Sequence, residues 1–256
     1  MSILHAFIFG IIEGITEFLP VSSTGHLMLT AKILQISQSD FVKSFEIAIQ
    51  LGAILSVVVL YWQRLARGYE IWKRLFVAFI PAAAIGAVLY KTIKTHLMGS
   101  NNVVLWALFL GGLFSIVFEL LYREREGAAE DLKRISYSQA LIIGLFQSVA
   151  MIPGVSRAAA TIVGGLVVGL KRKTIVEFSF LLAVPTMLAA TALDLFKSAN
   201  VFKPEQFVLL GVGFFISFAV AIIAIKFLLA FIKRHDFIPF GIYRIIVALA
   251  FWLIVK

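Results

Sequence analysis

The chain has 256 residues, of which 61% are hydrophobic and 14% charged, with a mean hydropathy of +0.99. Soluble domains carry roughly 25% charged residues, so this composition excludes a soluble protein and predicts a polytopic membrane protein. With no cysteine there are no disulfides and no thiolate chemistry, and the net charge of +9 is expected on cytoplasmic loops facing anionic lipid rather than on a nucleic-acid surface.

Residues 3–35 form an apolar stretch broken in its middle by Leu19-Pro20-Val21-Ser22-Ser23. It lacks a basic n-region, and Glu13 and Glu17 interrupt its apolar run, so it does not read as a signal peptide. Each half is too short to cross a bilayer, which predicts a re-entrant helical hairpin. Glu13 and Glu17 are four apart and share one helix face. Pro20 breaks the helix, and Ser22, Ser23 or Thr24 can cap the next one, whose free N–H groups and dipole favour an anion. His26 is spaced to face either Ser22 or Ser23. Two close carboxylates suit a divalent cation, Mg²⁺ or Ca²⁺, or a base; the plainer alternative is an amphipathic helix with its acids in water.

Spans are expected at 41–62, 75–92 and 103–122, followed by a hydrophilic linker from Arg123 to Arg134. A second broken stretch, 138–169, is interrupted by Ile152-Pro153-Gly154-Val155-Ser156-Arg157, and spans at 174–196, 205–230 and 238–255 follow. Ser156 can cap the second half-helix and places Arg157 in its first turn, where the planar fork suits phosphate oxygens. The alternative for Arg157 is a structural ion pair with Glu13, Glu17 or Glu46. Gln50, Glu46 and Glu177 are candidates to line a cavity, Asp194 and Arg244 read as near-interface or helix-pairing charges, and Gly10, Gly14, Gly164, Gly165 and Gly169 as close-packing positions.

The two broken stretches correspond. Gly10, Glu13 and Ser22 recur at constant offset as Gly144, Gln147 and Ser156, and Phe45-Glu46-Ile47-Ala48-Ile49-Gln50 has an echo in Val176-Glu177-Phe178-Ser179-Phe180-Leu181. The expected fold is all-α with two inverted repeats, 1–125 and 136–256, each one re-entrant hairpin plus three transmembrane helices, with the hairpin tips meeting near the midplane. Arg64, Arg67, Lys73, Arg74, Arg123, Arg125, Lys133, Arg134, Lys171, Arg172, Lys173, Lys233 and Arg234 fall on one side. The other side holds Lys32, Lys43, Lys91, Lys94, Lys197, Lys203 and Lys256. The richer side is expected in the cytoplasm, placing both termini and the mouth of the first hairpin outside.

There is no Walker A loop, no His-Glu-x-x-His and no Cys/His zinc pattern. The acid-phosphatase-like lipid phosphatases place a catalytic His six residues after their Ser-Arg; the corresponding position holds Val163. Instead, Glu-Gly-Ile-Thr-Glu-Phe-Leu-Pro-Val-Ser-Ser-Thr-Gly-His at 13–26 and Pro-Gly-Val-Ser-Arg-x-x-x-Thr at 153–161 resemble the signatures of the bacterial undecaprenyl-pyrophosphate phosphatases, the bacitracin-resistance family. The likeness extends through 45–53 and 177–185 to Ile-Pro-Phe-Gly-Ile-Tyr-Arg at 238–244.

That resemblance implies hydrolysis of a C55 isoprenyl diphosphate lipid in the bacterial cytoplasmic membrane, recycling the carrier of cell-wall synthesis with a divalent cation. Its functional positions fall on Glu13, Glu17, Ser23, His26, Ser156, Arg157 and Thr161. Ala158 departs from the Ser usually found after the motif's Arg. Combined with the residue chemistry, Glu13 and Glu17 are the metal or base candidates and Ser23 the nucleophile, its proton taken by His26 or Glu17, with attack by activated water as the competing version. Ser22, Thr24, Ser156, Arg157, Thr161 and Gln50 are the diphosphate-binding candidates. A transporter or flippase using the same inverted-repeat cavity is the rival function, and a homodimer is left open.

Overall fold

The protein is described by a computed structural model covering residues 1–37, 39–92, 97, 100–124, 127–198 and 206–254. Lys94, Lys203, Lys256 and Arg125 lie outside the described residues, as do the side chains of Lys91, Asp194 and Lys197.

The first broken stretch folds as α1 (Ile3–Thr16) and α2 (Ser23–Ile33). The break falls at Pro20, as expected, because proline has no N–H to continue the ladder. Then come α3 (Asp40–Leu60), a short α4 (Trp62–Arg67), α5 (Tyr69–Thr92) and α6 (Asn101–Leu121). The second broken stretch gives α7 (Tyr137–Val149) and α8 (Arg157–Val167), followed by α9 (Arg172–Ser198), α10 (Gln206–Phe231) and α11 (Ile238–Ile254). Serines cap the starts: Ser2, Ser22, Ser39, Ser100, Ser136 and Ser156 each accept a first-turn N–H that the helix itself leaves free.

Among the described residues five helices, α3, α5, α6, α9 and α10, are long and apolar enough to cross a bilayer. The sixth expected span, 238–255, is the apolar helix α11, whose 17 residues reach about 25 Å, at the lower limit for a crossing. α4, within a stretch read as a loop, is helical.

α3 and α9 are the most buried of the long helices and pack on each other. α1 and α3 both lie against α10, α7 and α9 against α5, and α6 against α11. Gly10 and Gly14 let α1 close on α10: a Cβ at Gly10 would sit 2.7 Å from Gly213 O, and one at Gly14 2.8 Å from Ser217 O. Gly164 and Gly165 play the same part for α8, with Phe146 and Ile175. Gly169 does not. It has open space around it and a φ of +85°, so it serves the backbone turn into α9 rather than packing.

At one end of the bundle the loops interlock. Arg74 Nε donates to Ile135 O at 2.6 Å, Ala129 bridges to Leu170, Lys171 pairs with Glu130, and Phe237 N lies 3.4 Å from Glu119 Oε1. Glu119 also receives both terminal nitrogens of Arg172, at 2.5 and 2.7 Å. At the other end Met1–Ile3, Phe41 and residues 206–209 line an open groove. Outward helix faces carry Phe76, Ile80, Trp106, Leu110, Phe114, Phe215, Ile223, Phe227 and Leu253, a lipid-compatible belt.

A Cβ at Gly52 would overlap the Phe214 carbonyl on α10, whereas Gly211 faces open space. Gly52→Ala is expected to destabilise by about 1–3 kcal/mol through overpacking. Gly211→Ala should be neutral or gain up to about 1 kcal/mol. Thermal unfolding of the two variants in detergent checks this; equal shifts would contradict the α3–α10 contact.

Candidate active site

α1 ends at Thr16, so Glu17 is its C-cap, its N–H donating to Glu13 O at 2.9 Å, and the chain turns through Phe18–Val21. Ser22 then takes φ 74° and ψ 94° and caps α2 by accepting the Gly25 N–H. A left-handed serine costs about 1–3 kcal/mol. That expense buys a sharp reversal which leaves Ser23 as the first helical residue, facing back toward α1. By helix geometry, the N–H groups of Ser23 and Thr24 have no partner within α2.

The reversal brings Ser23 Oγ to 2.5 Å from Glu17 Oε2, to which it donates. The other oxygen, Glu17 Oε1, accepts from Arg157 Nη2 at 3.1 Å. Arg157 opens α8 and also donates through Nη1 to Ser179 O on α9 at 2.9 Å; its buried Nε has no hydrogen-bond partner among the described residues. Ser156 accepts the Ala159 N–H as N-cap, and its Oγ lies 3.5 Å from Leu19 O, so the two broken tips touch. Phe18 flanks the guanidinium, 6.0 Å from ring centroid to Cζ, and stands edge-on to Phe180.

Glu13 sits one turn before Glu17, fully buried, and neither of its carboxylate oxygens has a hydrogen-bond donor among the described residues. Glu17, Glu46 and Arg157 are within its electrostatic reach. A buried carboxylate without a donor is costly, and a cation would satisfy it. The oxygens of Glu17 are already engaged, so of the two acids proposed for metal Glu13 offers the free ligand.

His26 does not reach Ser23. Its Nδ1 is 2.7 Å from Ser22 O and its Nε2 2.9 Å from Tyr243 OH, with the two rings stacked 3° from parallel. A carbonyl can only accept, so Nδ1 carries the proton and Nε2 accepts from the tyrosine hydroxyl. Of the two bases considered for Ser23, the geometry thus presents Glu17. Thr161 turns away from the tip: its hydroxyl donates to carbonyls of its own helix and shares a 2.6 Å bond with Ser179 Oγ. Thr24 is exposed and Gln50 half-buried, and neither hydrogen-bonds to the cluster among the described residues.

One residue of this region went unread in the sequence. Ser179 orients both Arg157 and Thr161, and its only signal was its place in the echo of 45–50. Of the two readings of Arg244, near-interface or helix-pairing, the structure has the second: it is almost wholly buried, 1% exposed, and donates to Ala107 O on α6 and to Gly154 O. Glu177 is not at the tips; it pairs with Arg64 beyond the end of α3.

Comparison with known proteins agrees with the motifs. The chain is 52% identical to the undecaprenyl-diphosphatase of Wolinella succinogenes over 251 residues, covering 98% of this chain and 97% of that one. It is 53% identical to the enzyme of the same name from Aquifex aeolicus over 247 residues, 96% of each chain. With that of Persephonella marina it shares 51% over 255 residues, the full length of both. Residues 6–250 match the family described as bacitracin resistance protein BacA. With both hairpin tips inside the matched region, the chain belongs to the BacA family.

Proposed function

We infer that this protein is an integral membrane undecaprenyl-diphosphatase, hydrolysing the C55 isoprenyl diphosphate to the monophosphate and inorganic phosphate. The observation that carries the inference is one carboxylate shared by a hydroxyl and a guanidinium: Glu17 accepts Ser23 Oγ on one oxygen and Arg157 on the other. A hydroxyl donating to a carboxylate, beside a bidentate cation and a helix N-terminus, is a phosphoryl-transfer arrangement.

The entering diphosphate competes with Glu17 for Arg157. As the guanidinium turns to phosphate oxygens, Glu17 loses its counterion and becomes a better acceptor for the Ser23 proton. Ser23 Oγ attacks the terminal phosphorus, its proton passes to Glu17 Oε2, and the anhydride bond to the lipid monophosphate breaks. Arg157 and the α2 N–H groups hold the charge on the phosphoryl oxygens. Water then cleaves the phosphoserine, and Glu17 returns its proton to Ser23 Oγ.

We place a divalent cation, Mg²⁺ or Ca²⁺, on Glu13, with Glu17 beside it. When bound, it supplies positive charge that draws electron density from the phosphate oxygens. Glu13 holds it; the proton transfers remain with Ser23 and Glu17. The matching order of elements, α1–α2 with three long helices and α7–α8 with three more, supports two inverted repeats. The interlocked basic loops at one end support a cytoplasmic face there, with the site opening outward from the inner membrane.

Ser23→Ala should fold yet lose nearly all turnover, since a capping role would cost only about 0.5–2 kcal/mol of stability. Rapid quench with substrate labelled at the terminal phosphate should trap phosphate on Ser23. Substantial phosphate release by purified Ser23→Ala in detergent would replace serine attack with direct attack by water. Detergent also removes any transmembrane gradient, so phosphate release there separates a hydrolase from a flippase.

Arg157→Lys keeps the charge and loses the fork. Turnover should fall about tenfold or more, the equivalent of one charge-assisted hydrogen bond. Near-normal turnover would reduce Arg157 to a structural ion pair.

Because the chain has no cysteine, single cysteines report topology cleanly. An impermeant thiol reagent should label Ser2→Cys in spheroplasts, and Lys133→Cys only after lysis; the reverse pattern would invert the orientation.

A further inference from the structure

The Ile-Pro-Phe-Gly-Ile-Tyr-Arg segment opens α11 and takes no part in the chemistry above, yet two of its residues reach the two broken tips. Tyr243 OH donates to His26 Nε2 at 2.9 Å, and His26 Nδ1 donates to Ser22 O at 2.7 Å. Ser22 is the strained residue whose φ of 74° aims Ser23 at Glu17. Its neighbour Arg244 donates through Nη2 to Ala107 O at 3.0 Å and Gly154 O at 3.1 Å. Gly154 holds the other reversal, at φ +96°, two residues before Ser156 and three before Arg157. Successive residues on a helix diverge by about 100°, so adjacent side chains can serve two different walls.

Room has been made for this. Gly111 and Gly112 on α6 leave the channel through which Arg244 passes; a Cβ at Gly111 would overlap its guanidinium. At Gly154 a Cβ would lie 2.6 Å from Val104 O, so the second tip is pressed onto α6 where Arg244 ties it. No carboxylate pairs with Arg244 among the described residues, and its Nε is buried without a partner. A guanidinium kept at such depth on carbonyls alone is expensive, and what it gains is a fixed turn.

We propose that Tyr243 and Arg244 are positioning residues: from one helix they hold the first tip through His26 and Ser22 and the second through Gly154, in the register that sets Ser23 and Arg157 against Glu17. The proposal rests on the assignment of the reaction to these tips. It gives His26 a definite task, which is to fix the Ser22 turn rather than to take the Ser23 proton.

Tyr243→Phe keeps the ring and its stack and removes only the hydroxyl. In detergent-purified full-length protein, kcat should fall about fivefold, the rate equivalent of one neutral hydrogen bond, with KM and unfolding temperature little changed. In a His26→Gln background the same substitution should change kcat by less than about twofold, because its route to Ser22 is already cut. Equal falls in both backgrounds, or a loss carried by KM, would overturn the proposal.

A second measurement does not need turnover. In the nitrogen-15 spectrum of histidine-labelled protein, His26 should show Nδ1 protonated and Nε2 bare, and Tyr243→Phe should move the Nε2 resonance. An unmoved resonance sinks the brace whatever the fate of Ser23 as nucleophile, and a moved resonance with unchanged kcat sinks its link to the reaction. For the other arm, Arg244→Met should lower kcat about tenfold or more, with Arg244→Lys intermediate because one ammonium cannot span both carbonyls. If instead KM rises and kcat holds, Arg244 touches substrate and is no positioning residue.

Discussion

The ion pair between Arg157 and Glu17 joins residues 140 positions apart and is the closure on which the site depends. No helix of α1–α2 or α7–α8 is long enough to span a bilayer, and each pair leaves backbone ends inside the bundle, where a polar group without a partner is costly. The ends are tolerable because they meet: Ser156 faces Leu19 O, Arg157 takes both Glu17 and Ser179 O, and each new helix is capped by its own serine. Removing one member of a buried pair costs about 3–5 kcal/mol, since the survivor stays charged. The same pair is built to be broken by the one ligand that can replace the carboxylate on the guanidinium.

Charge balance explains why such a site asks for more than its own residues. Glu13 and Glu17 lie beside the single guanidinium of Arg157, an acidic surplus that repels a diphosphate. A cation on Glu13 would turn that surplus into attraction, and His26, neutral with Nε2 occupied by Tyr243, adds no charge of its own. The division of labour is spatial. Acids come from the first hairpin, the clamp from the second, and the scaffold from α9 and α11.

Much of this was legible in the chain. The hairpin breaks at Pro20 and at Pro153-Gly154, the cap at Ser156 and the first-turn place of Arg157 follow from local chemistry, and the structure has them there. Glu13 and Glu17 on one face follow from helix period. What could not be read was the direction of side chains across the fold. His26 is spaced to reach a serine hydroxyl, but its ring turns to the Ser22 carbonyl because Tyr243, 217 positions away, claims the other nitrogen. Arg244 read as either a near-interface or a helix-pairing charge; the Gly111-Gly112 groove on another helix, which lets it run inward, decides for the second. Thr161 carried a family motif, yet its hydroxyl serves the α8–α9 contact through Ser179.

The pairing of α1 with α10 carries a consequence for biosynthesis. α1 leaves the ribosome well before α10, and its glycines fit against Gly213 and Ser217, some two hundred residues later. At about 5–20 residues per second, that partner emerges roughly ten to forty seconds after α1. The α1–α10 contact therefore closes only once α10 has been made, and until then the glycine face of α1 has no helix to fit.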